Sequence, residues 1–268
     1  MAEEHSIVVK IGGRLAEDAV LTDSLGSELA SMGRQGRRIA LVHGGGVVIS
    51  TLQKDYGIQP MFDDGLRRTS VREMDLVDMA LAGAVNTRLV RRLRHGGAAA
   101  WGLSGVDGGL LTARSLTDRP EDNRTGTVSA AETGPLTLLW DAGYLPVIAP
   151  VAADSEGRGM NVNADEAALG LAEALESDVL AFISDVPGVM NGADVIPDLD
   201  PAGIEELITG GVIAGGMIPK VRSAVGALQN GVAAVVIGTY AVPGDLERLI
   251  AGASGTRISA QRSESHGQ

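Results

Sequence analysis

Lys10, Lys54 and Lys220 are the only lysines among the 22 Lys and Arg residues of this 268-residue chain. Lys10 interrupts the apolar run Ile7-Val8-Val9-Lys10-Ile11, and Lys220 stands near the start of a segment rich in Ala, Val and Leu. A buried ammonium without a partner is costly, and a cation in the first turns of a helix opposes its macrodipole. An anionic ligand would resolve both conflicts, and local rules broken in this way mark functional sites. Two glycine clusters point to the same chemistry. Gly12-Gly13 closes the Lys10 segment, and Gly44-Gly45-Gly46 follows His43. Glycine lets backbone N–H groups approach an anion with no Cβ in the way. A helix beginning at the same turn adds a favourable dipole and free donors. Taken singly, a strand-to-helix turn and a snorkelling lysine are alternative accounts. Taken together, they describe a phosphate cradle.

Three further segments carry polar groups at the boundaries of the elements. Met160-Asn161-Val162-Asn163-Ala164-Asp165-Glu166 precedes a helix, and Asn163 with Glu166 fits an N-cap and capping box. Capping leaves Asn161 without a role, Asp165 suits the helix dipole, and on periodicity alone the segment reads as structural. Ser184-Asp185-Val186-Pro187-Gly188 ends an apolar run and is either a ligand contact or a plain turn. Gly215-Gly216-Met217-Ile218-Pro219-Lys220 opens the segment that carries the last lysine.

The elements that must position these groups are legible from hydrophobic pattern. Ile7–Ile11, Ile39–Val42, Ala98–Leu103, Leu145–Ala149, Val179–Ile183 and Ala233–Ile237 are continuous aliphatic runs. Such runs suit parallel strands covered on both faces. Helical spacing lies between most of them. The longest stretch, Val71–Arg94, places Met74, Val77, Leu81, Val85, Leu89 and Leu93 on one stripe, and Glu166–Leu175 is another helix. The alternation predicts an α/β fold with a mainly parallel sheet. In such sheets ligands bind beyond the carboxyl ends of the strands, where both glycine clusters fall. The polar stretch Leu110–Ser129 reads as a hairpin or flap at the sheet edge, and the tail Ser259–Gln268 as frayed.

Composition narrows the functional classes. Net charge is −12, which disfavours nucleic acid. Cysteine is absent, so disulfides, thiolate metal sites and a Cys nucleophile are excluded. The four His residues form no two-His helical pair, so no protein metal site is expected. No apolar run is long enough to span a membrane, and the acidic start fits no signal peptide, so a cytoplasmic location is expected. Aromatics are only 3%, so the core must be aliphatic. GxxxxGKS/T is absent, as is GxGxxG after the first strand, which argues against a Walker site and a dinucleotide fold.

From Ile7 to about Ile258 these segments resemble, in order and spacing, the motifs of the amino-acid kinase family. Within it, the acetylglutamate kinases are most similar. Lys10-Ile11-Gly12-Gly13 and His43-Gly44-Gly45-Gly46 look like its first two motifs. Gly65-Leu66-Arg67-Arg68-Thr69 looks like its substrate motif, followed by Leu81-Ala82-Gly83 and Asn86. Asn161–Asp165, Ser184–Gly188 and Gly216–Lys220 complete the series. The resemblance implies a three-layer sandwich with a mainly parallel central sheet. Its N-terminal lobe, residues 1–175, would hold the acyl amino acid and the dimer contact, and residues 176–268 the nucleotide. It implies transfer of the ATP γ-phosphoryl group to the side-chain carboxylate of N-acetyl-L-glutamate, an early step of arginine biosynthesis. Lys10 and Lys220 would neutralise the transferring group, and Asp165 would orient both. The N–H groups of Gly12, Gly13, Gly44 and Gly45 would hold phosphate, with Gly45 also at the substrate. Arg67 would clamp the substrate α-carboxylate, Asn161 and Asn163 would contact the acyl amino acid, and Ser184, Asp185 and Lys220 would lie by the nucleotide. Mg²⁺ would travel with ATP, held by phosphate oxygens rather than by protein ligands.

A carboxylate acceptor is ionised at pH 7, so no general base is needed and the burden falls on positioning and charge. Leu103–Gly109 is shared with relatives that act on a carrier-protein-linked aminoadipate, which keeps that acceptor as an alternative. Ser70 departs from the acidic or small residue common after the substrate motif, and Arg14 and Arg68 add positive charge near it. A metabolite sensor of the same fold and a nicotinamide-dependent oxidoreductase are the other classes. The retained Lys10, Asp165 and Lys220 oppose the first, and the missing GxGxxG opposes the second. Because the first strand begins at Ile7, the expected assembly is an arginine-insensitive homodimer, built on the Val71–Arg94 helix. The extra N-terminal helix of hexameric relatives is not expected.

Overall fold

The computed structural model describes residues 5–63, 65–117 and 122–260. Residues 261–268 of the tail expected to fray, and residues 118–121 of the expected flap, lie outside them. The chain opens with β1 (Ser6–Ile11), α1 (Gly13–Glu17), α2 (Ala19–Arg34), β2 (Arg38–His43) and α3 (Gly46–Asp55). A hairpin of β3 (Met61–Asp63) and β4 (Leu66–Arg68) leads into α4 (Val71–Asp78), a π-helical segment Met79–Val85 and α5 (Asn86–His95). Then come β5 (Ala100–Ser104), β6 (Leu111–Ser115), β7 (Thr125–Ala131), α6 (Gly134–Asp141), β8 (Leu145–Ala149), β9 (Val151–Ala153) and β10 (Gly159–Val162). The remainder is α7 (Ala164–Ala174), β11 (Val179–Ile183), the hairpin β12 (Met190–Asn191) and β13 (Asp194–Val195), β14 (Asp198–Leu199), α8 (Pro201–Thr209), α9 (Met217–Gln229), β15 (Ala234–Gly238), α10 (Asp245–Ile250) and β16 (Thr256–Ser259).

Eight strands form one sheet in the order β14-β16-β15-β11-β1-β2-β8-β5. All neighbours are parallel except β15 and β16. All six predicted runs are strands of this sheet. The sheet crosses without a break from the N-terminal to the C-terminal part, because β1 pairs with β2 on one side and β11 on the other.

Alternation along β1 decides what Lys10 can reach. Ile7, Val9 and Ile11 pack with Leu25, Leu29 and Met32 of α2 and Leu89 and Leu93 of α5. Val8 faces the opposite layer, with Ala167, Ala168 and Leu171 of α7 and Val221 and Ala224 of α9. Successive side chains alternate across a strand. Lys10 therefore shares the face of Val8 and is aimed toward the N-terminal ends of α7 and α9.

Two expectations are corrected. Leu110–Ser129 does contain an antiparallel hairpin, β6 with β7, but not at the edge of the large sheet. It joins β9 and β10 in a small closed barrel, β10-β7-β6-β9. Closure satisfies strand edges that a lone flap would expose. The long helix keeps its predicted stripe, for Met74, Val77, Leu81, Val85, Leu89 and Leu93 are all buried, but its middle is π-helical. Hydrophobic spacing of three and four does not register the wider turn, which packs against α3 and the glycine turn that opens it.

Candidate active site

The carboxyl ends of β1 and β2 bring the two glycine turns into contact. A Cβ on Gly13 would lie 3.8 Å from the Gly45 Cα, and one on Gly44 would lie 3.6 Å from the Gly13 nitrogen. Gly45 is the tightest position, because a Cβ there would stand 2.6 Å from Leu81 Cδ2 and 3.0 Å from Val85 Cγ2 of the π-helical segment. π-helical turns are frequent at functional sites. Here one packs directly against the turn that opens α3.

The turns floor a cleft of about 300 Å³. Lys10, Arg67, Asn161, Asn163 and Asp165 stand around it with Gly12, Gly13 and Gly44–Gly46. Among the described residues that line it, Asp165 is the only carboxylate, against the cations of Lys10 and Arg67. Lys10 Nζ is 2.7 Å from Asp165 Oδ1, and Lys220 Nζ is 3.6 Å from Asp165 Oδ2. The two lysine side chains retain only 14% and 19% of their exposure, so each ammonium depends on that carboxylate in the absence of a ligand. Asp165 sits in the first turn of α7, whose N-cap Asn163 accepts a 2.8 Å hydrogen bond from the Asp165 N–H. Lys220 lies over the Phe182 ring at 5.5 Å. The geometry links the first and last lysines through one acidic residue, across 210 positions of sequence.

Gly44 is a correction. Its N–H donates to the Ile11 carbonyl at 3.0 Å, extending the β1–β2 ladder, and is not free to hold an anion. Among the described residues, the N–H groups of Gly12, Gly13 and Gly45 make no backbone hydrogen bond. Gly46 joins them as the first residue of α3, whose N–H has no intrahelical acceptor. Gly46 was legible as the third glycine of its cluster, but only the helix start shows which glycines offer free donors. The capping box is also corrected. Asn163 caps, but the Glu166 carboxylate accepts instead from the Thr127 hydroxyl of β7.

Arg67 reaches the cleft from β4. It donates to Gln53 Oε1 through Nη1, and to the Gly46 carbonyl and Ser50 Oγ at 2.8 Å each through Nη2. Those three bonds leave two of its five N–H donors for a ligand. Gln53 in turn donates to Glu73 at 2.6 Å. Burial pushes the guanidinium below its usual range, while the nearby Glu73 charge acts in the opposite direction. The Phe62 ring of β3 covers it at 4.7 Å. Asn161 is buried on β10 and donates to Thr69 Oγ1 at 2.8 Å, and Thr69 donates to the Arg67 carbonyl at 3.2 Å. Thr125 donates to the same carbonyl at 2.8 Å. Thr69 and Thr125 thus tie the barrel to the substrate-motif strand, a role that no sequence motif announced.

Ser184 and Asp185 do not line this cleft. They stand at the end of β11, where the Ser184 N–H donates to the Gly238 carbonyl at 2.7 Å and Asp185 pairs with Arg14 at 3.1 Å. The Leu103–Gly109 segment is accounted for locally, since Asp107 accepts from the Ser104 N–H at 2.6 Å and its hydroxyl at 2.9 Å. Among the described residues no group of three or more His, Asp or Glu side chains could hold a metal ion. Nor is any helix among them long and apolar enough to cross a membrane.

Lys10 beside the free N–H donors at the starts of α1 and α3, with Lys220 on the same carboxylate, can hold and neutralise a phosphoryl group. A family model described as the Amino acid kinase family matches residues 6–239. The chain belongs to the amino acid kinase family. Its match spans both glycine turns, Asp165 and Lys220, all the parts of the site just described. This amino acid kinase is 44% identical over 232 residues to an acetylglutamate kinase of Chloroflexus aurantiacus, covering 86% of this chain and 90% of the relative. It is 41% identical over 237 residues to an acetylglutamate kinase of Synechocystis, covering 87% and 80%. Among solved structures, smu.665 from Streptococcus mutans superposes with a TM-score of 0.81 at 29% identity, covering 96% of this chain and 99% of the other.

Proposed function

We propose that this amino acid kinase phosphorylates N-acetyl-L-glutamate with ATP, a reading supported by its likeness to proteins named acetylglutamate kinase. The acceptor carboxylate attacks the γ-phosphorus, a carboxyl O–P bond forms, and the bond to the ADP oxygen breaks. The products are an acyl phosphate and ADP, and no proton need be removed from an acceptor already ionised at pH 7. The observation that supports this reading best is the shared Asp165 contact of Lys10 and Lys220. Two anions must meet, and charge placed around them lowers that barrier without a base.

In this reading Lys10 and Lys220 neutralise the transferring group from two sides, and Asp165 sets their spacing. The N–H groups of Gly12, Gly13, Gly45 and Gly46 hold phosphoryl oxygens. Arg67 offers its charge and a remaining N–H donor to the acceptor's α-carboxylate. Asn161 and Asn163 border the acyl amino acid. Ser184 and Asp185 belong to the nucleotide side, beyond the cleft. Mg²⁺ is carried by the nucleotide phosphates. The lobes divide near residue 175, acceptor first and nucleotide second.

In this reading the active form is a homodimer built on the Val71–Arg94 helix, whose last part, α5, packs against β5. β5 is the outermost strand on its side of the sheet, with Trp101 49% exposed upon it. An unpaired edge of this kind is normally covered. Sedimentation at micromolar concentration is expected to give twice the chain mass.

Trapping the acyl phosphate with hydroxylamine, with MgATP and either N-acetyl-L-glutamate or N-acetyl-aminoadipate, tests the assignment. Hydroxamate is expected with acetylglutamate. Hydroxamate from neither free acid would refute the free acetylated amino acid as acceptor.

A further inference from the structure

His43 ends β2, is fully buried, and has no role in the reading above. Its Nδ1 lies 3.0 Å from the Gly44 carbonyl oxygen, and its Nε2 lies 3.1 Å from Asn86 Nδ2. A carbonyl oxygen only accepts, so Nδ1 carries the proton and Nε2 is the acceptor. The Asn86 amide is oriented by the same logic. Its Nδ2 carries two hydrogens: the Val147 carbonyl at 2.8 Å, which only accepts, takes one, and the other is directed at His43 Nε2, with the Leu103 carbonyl at a longer 3.3 Å. The Gly44 carbonyl thus sets the polarity of the imidazole, and the Asn86 amide, held by the Val147 carbonyl of β8, is compatible with it. Gly102 of β5 makes room for it, since a Cβ there would lie 2.1 Å from Asn86 Oδ1.

The Gly44 carbonyl and the Gly45 N–H belong to one planar peptide unit and point in opposite directions. Fixing the carbonyl therefore fixes the N–H. We infer that His43 is a positioning residue whose neutral Nδ1–H anchors the Gly44–Gly45 peptide from behind, aiming the Gly45 N–H at the transferring phosphoryl group. This inference rests on the phosphoryl-transfer reading of the cleft. Gly45 needs such an anchor because its backbone, at ψ 24°, is neither strand nor helix. Leu81 and Val85 close the turn from the side, and His43 closes it from below. A donor on the carbonyl also polarises the peptide and strengthens its N–H as a donor.

Two replacements separate this role from a packing role. His43→Asn places an amide N–H near the position of Nδ1, and His43→Gln places one near Nε2. His43→Asn is expected to keep kcat within about threefold of wild type. His43→Gln is expected to lower kcat about tenfold or more, the scale of a misplaced group, with the KM for acetylglutamate little changed. Loss of kcat to the same degree in both variants, in step with their thermal midpoints, would overturn the inference. ¹⁵N spectra of the wild-type imidazole test it without any substitution, the expected form being Nδ1–H and the overturning one Nε2–H. Wild-type protein that turns over no acetylglutamate would refute the proposed function instead, and the tautomer would still decide whether His43 holds the Gly44 carbonyl.

Discussion

Replacing Lys10 by alanine removes one of two cations from the Asp165 carboxylate. At about 4 Å, a unit charge contributes about 4 kcal/mol in a medium of effective dielectric about 20. The Lys10 side chain is largely buried, so little of that is lost to solvent screening. A phosphoryl group gathering charge between reactants loses most of this stabilisation when the ammonium is removed, about 3–4 kcal/mol, or about 10²–10³ in kcat. Asp165 keeps Lys220 at 3.6 Å, so no carboxylate is stranded and the chain still folds. The KM for acetylglutamate changes little, because Arg67 and Asn161 are untouched. Hydroxamate accumulation under saturating MgATP measures the rate, and a thermal melt checks folding. A Lys10→Ala protein with the wild-type melt and turnover within twofold of wild type would refute the charge argument. Lys220→Ala is expected to lose a similar factor, and the double variant less than the product of the two, since both lysines act on one group.

Arg67→Lys replaces a planar fork that already holds Gln53, Gly46 and Ser50 with a point charge. The KM for acetylglutamate is expected to rise at least about tenfold with kcat nearly kept, as steady-state kinetics will show. Gly45→Ala pushes a methyl against Leu81 and Val85. It is expected to cost about 1–3 kcal/mol in urea unfolding and to lower kcat more than the KM changes. Burial lowers His43 from 6.5 to about 4, the Gly44 hydrogen bond acting the other way. Between those values the unfolded chain binds the proton and the folded one does not, so stability falls as the pH drops from 6.5 toward 4. The His43 contribution to urea unfolding is expected to fall by about 2 kcal/mol between pH 7 and pH 5. A His43→Leu variant that shows the same pH slope over this range would contradict that assignment.

Much of this protein was written locally. The aliphatic runs specify strands because continuous apolar residues can only be buried on both faces, and the glycine clusters specify tight turns where a Cβ would obstruct. Lys10 and Lys220 stood out because each violates a local preference that an anion, or a paired carboxylate, restores. Asp165 looked at first like a helix-dipole residue. Its place between two lysines depends on β1, α7 and α9 meeting at the carboxyl end of the central strands, and spacing along a chain carries no such information. The same limit hid Gly44, whose N–H belongs to a ladder that exists only once β1 and β2 are parallel neighbours. It hid the closed barrel, the wide turn at Met79–Val85, and the His43–Asn86 bond. Local sequence thus determined the strands, the turns and the charges. Which N–H groups are spent, which carboxylate joins which cations, and which carbonyl is held from behind were decided by long-range packing, because hydrogen-bond partners are assigned only when distant segments are brought together.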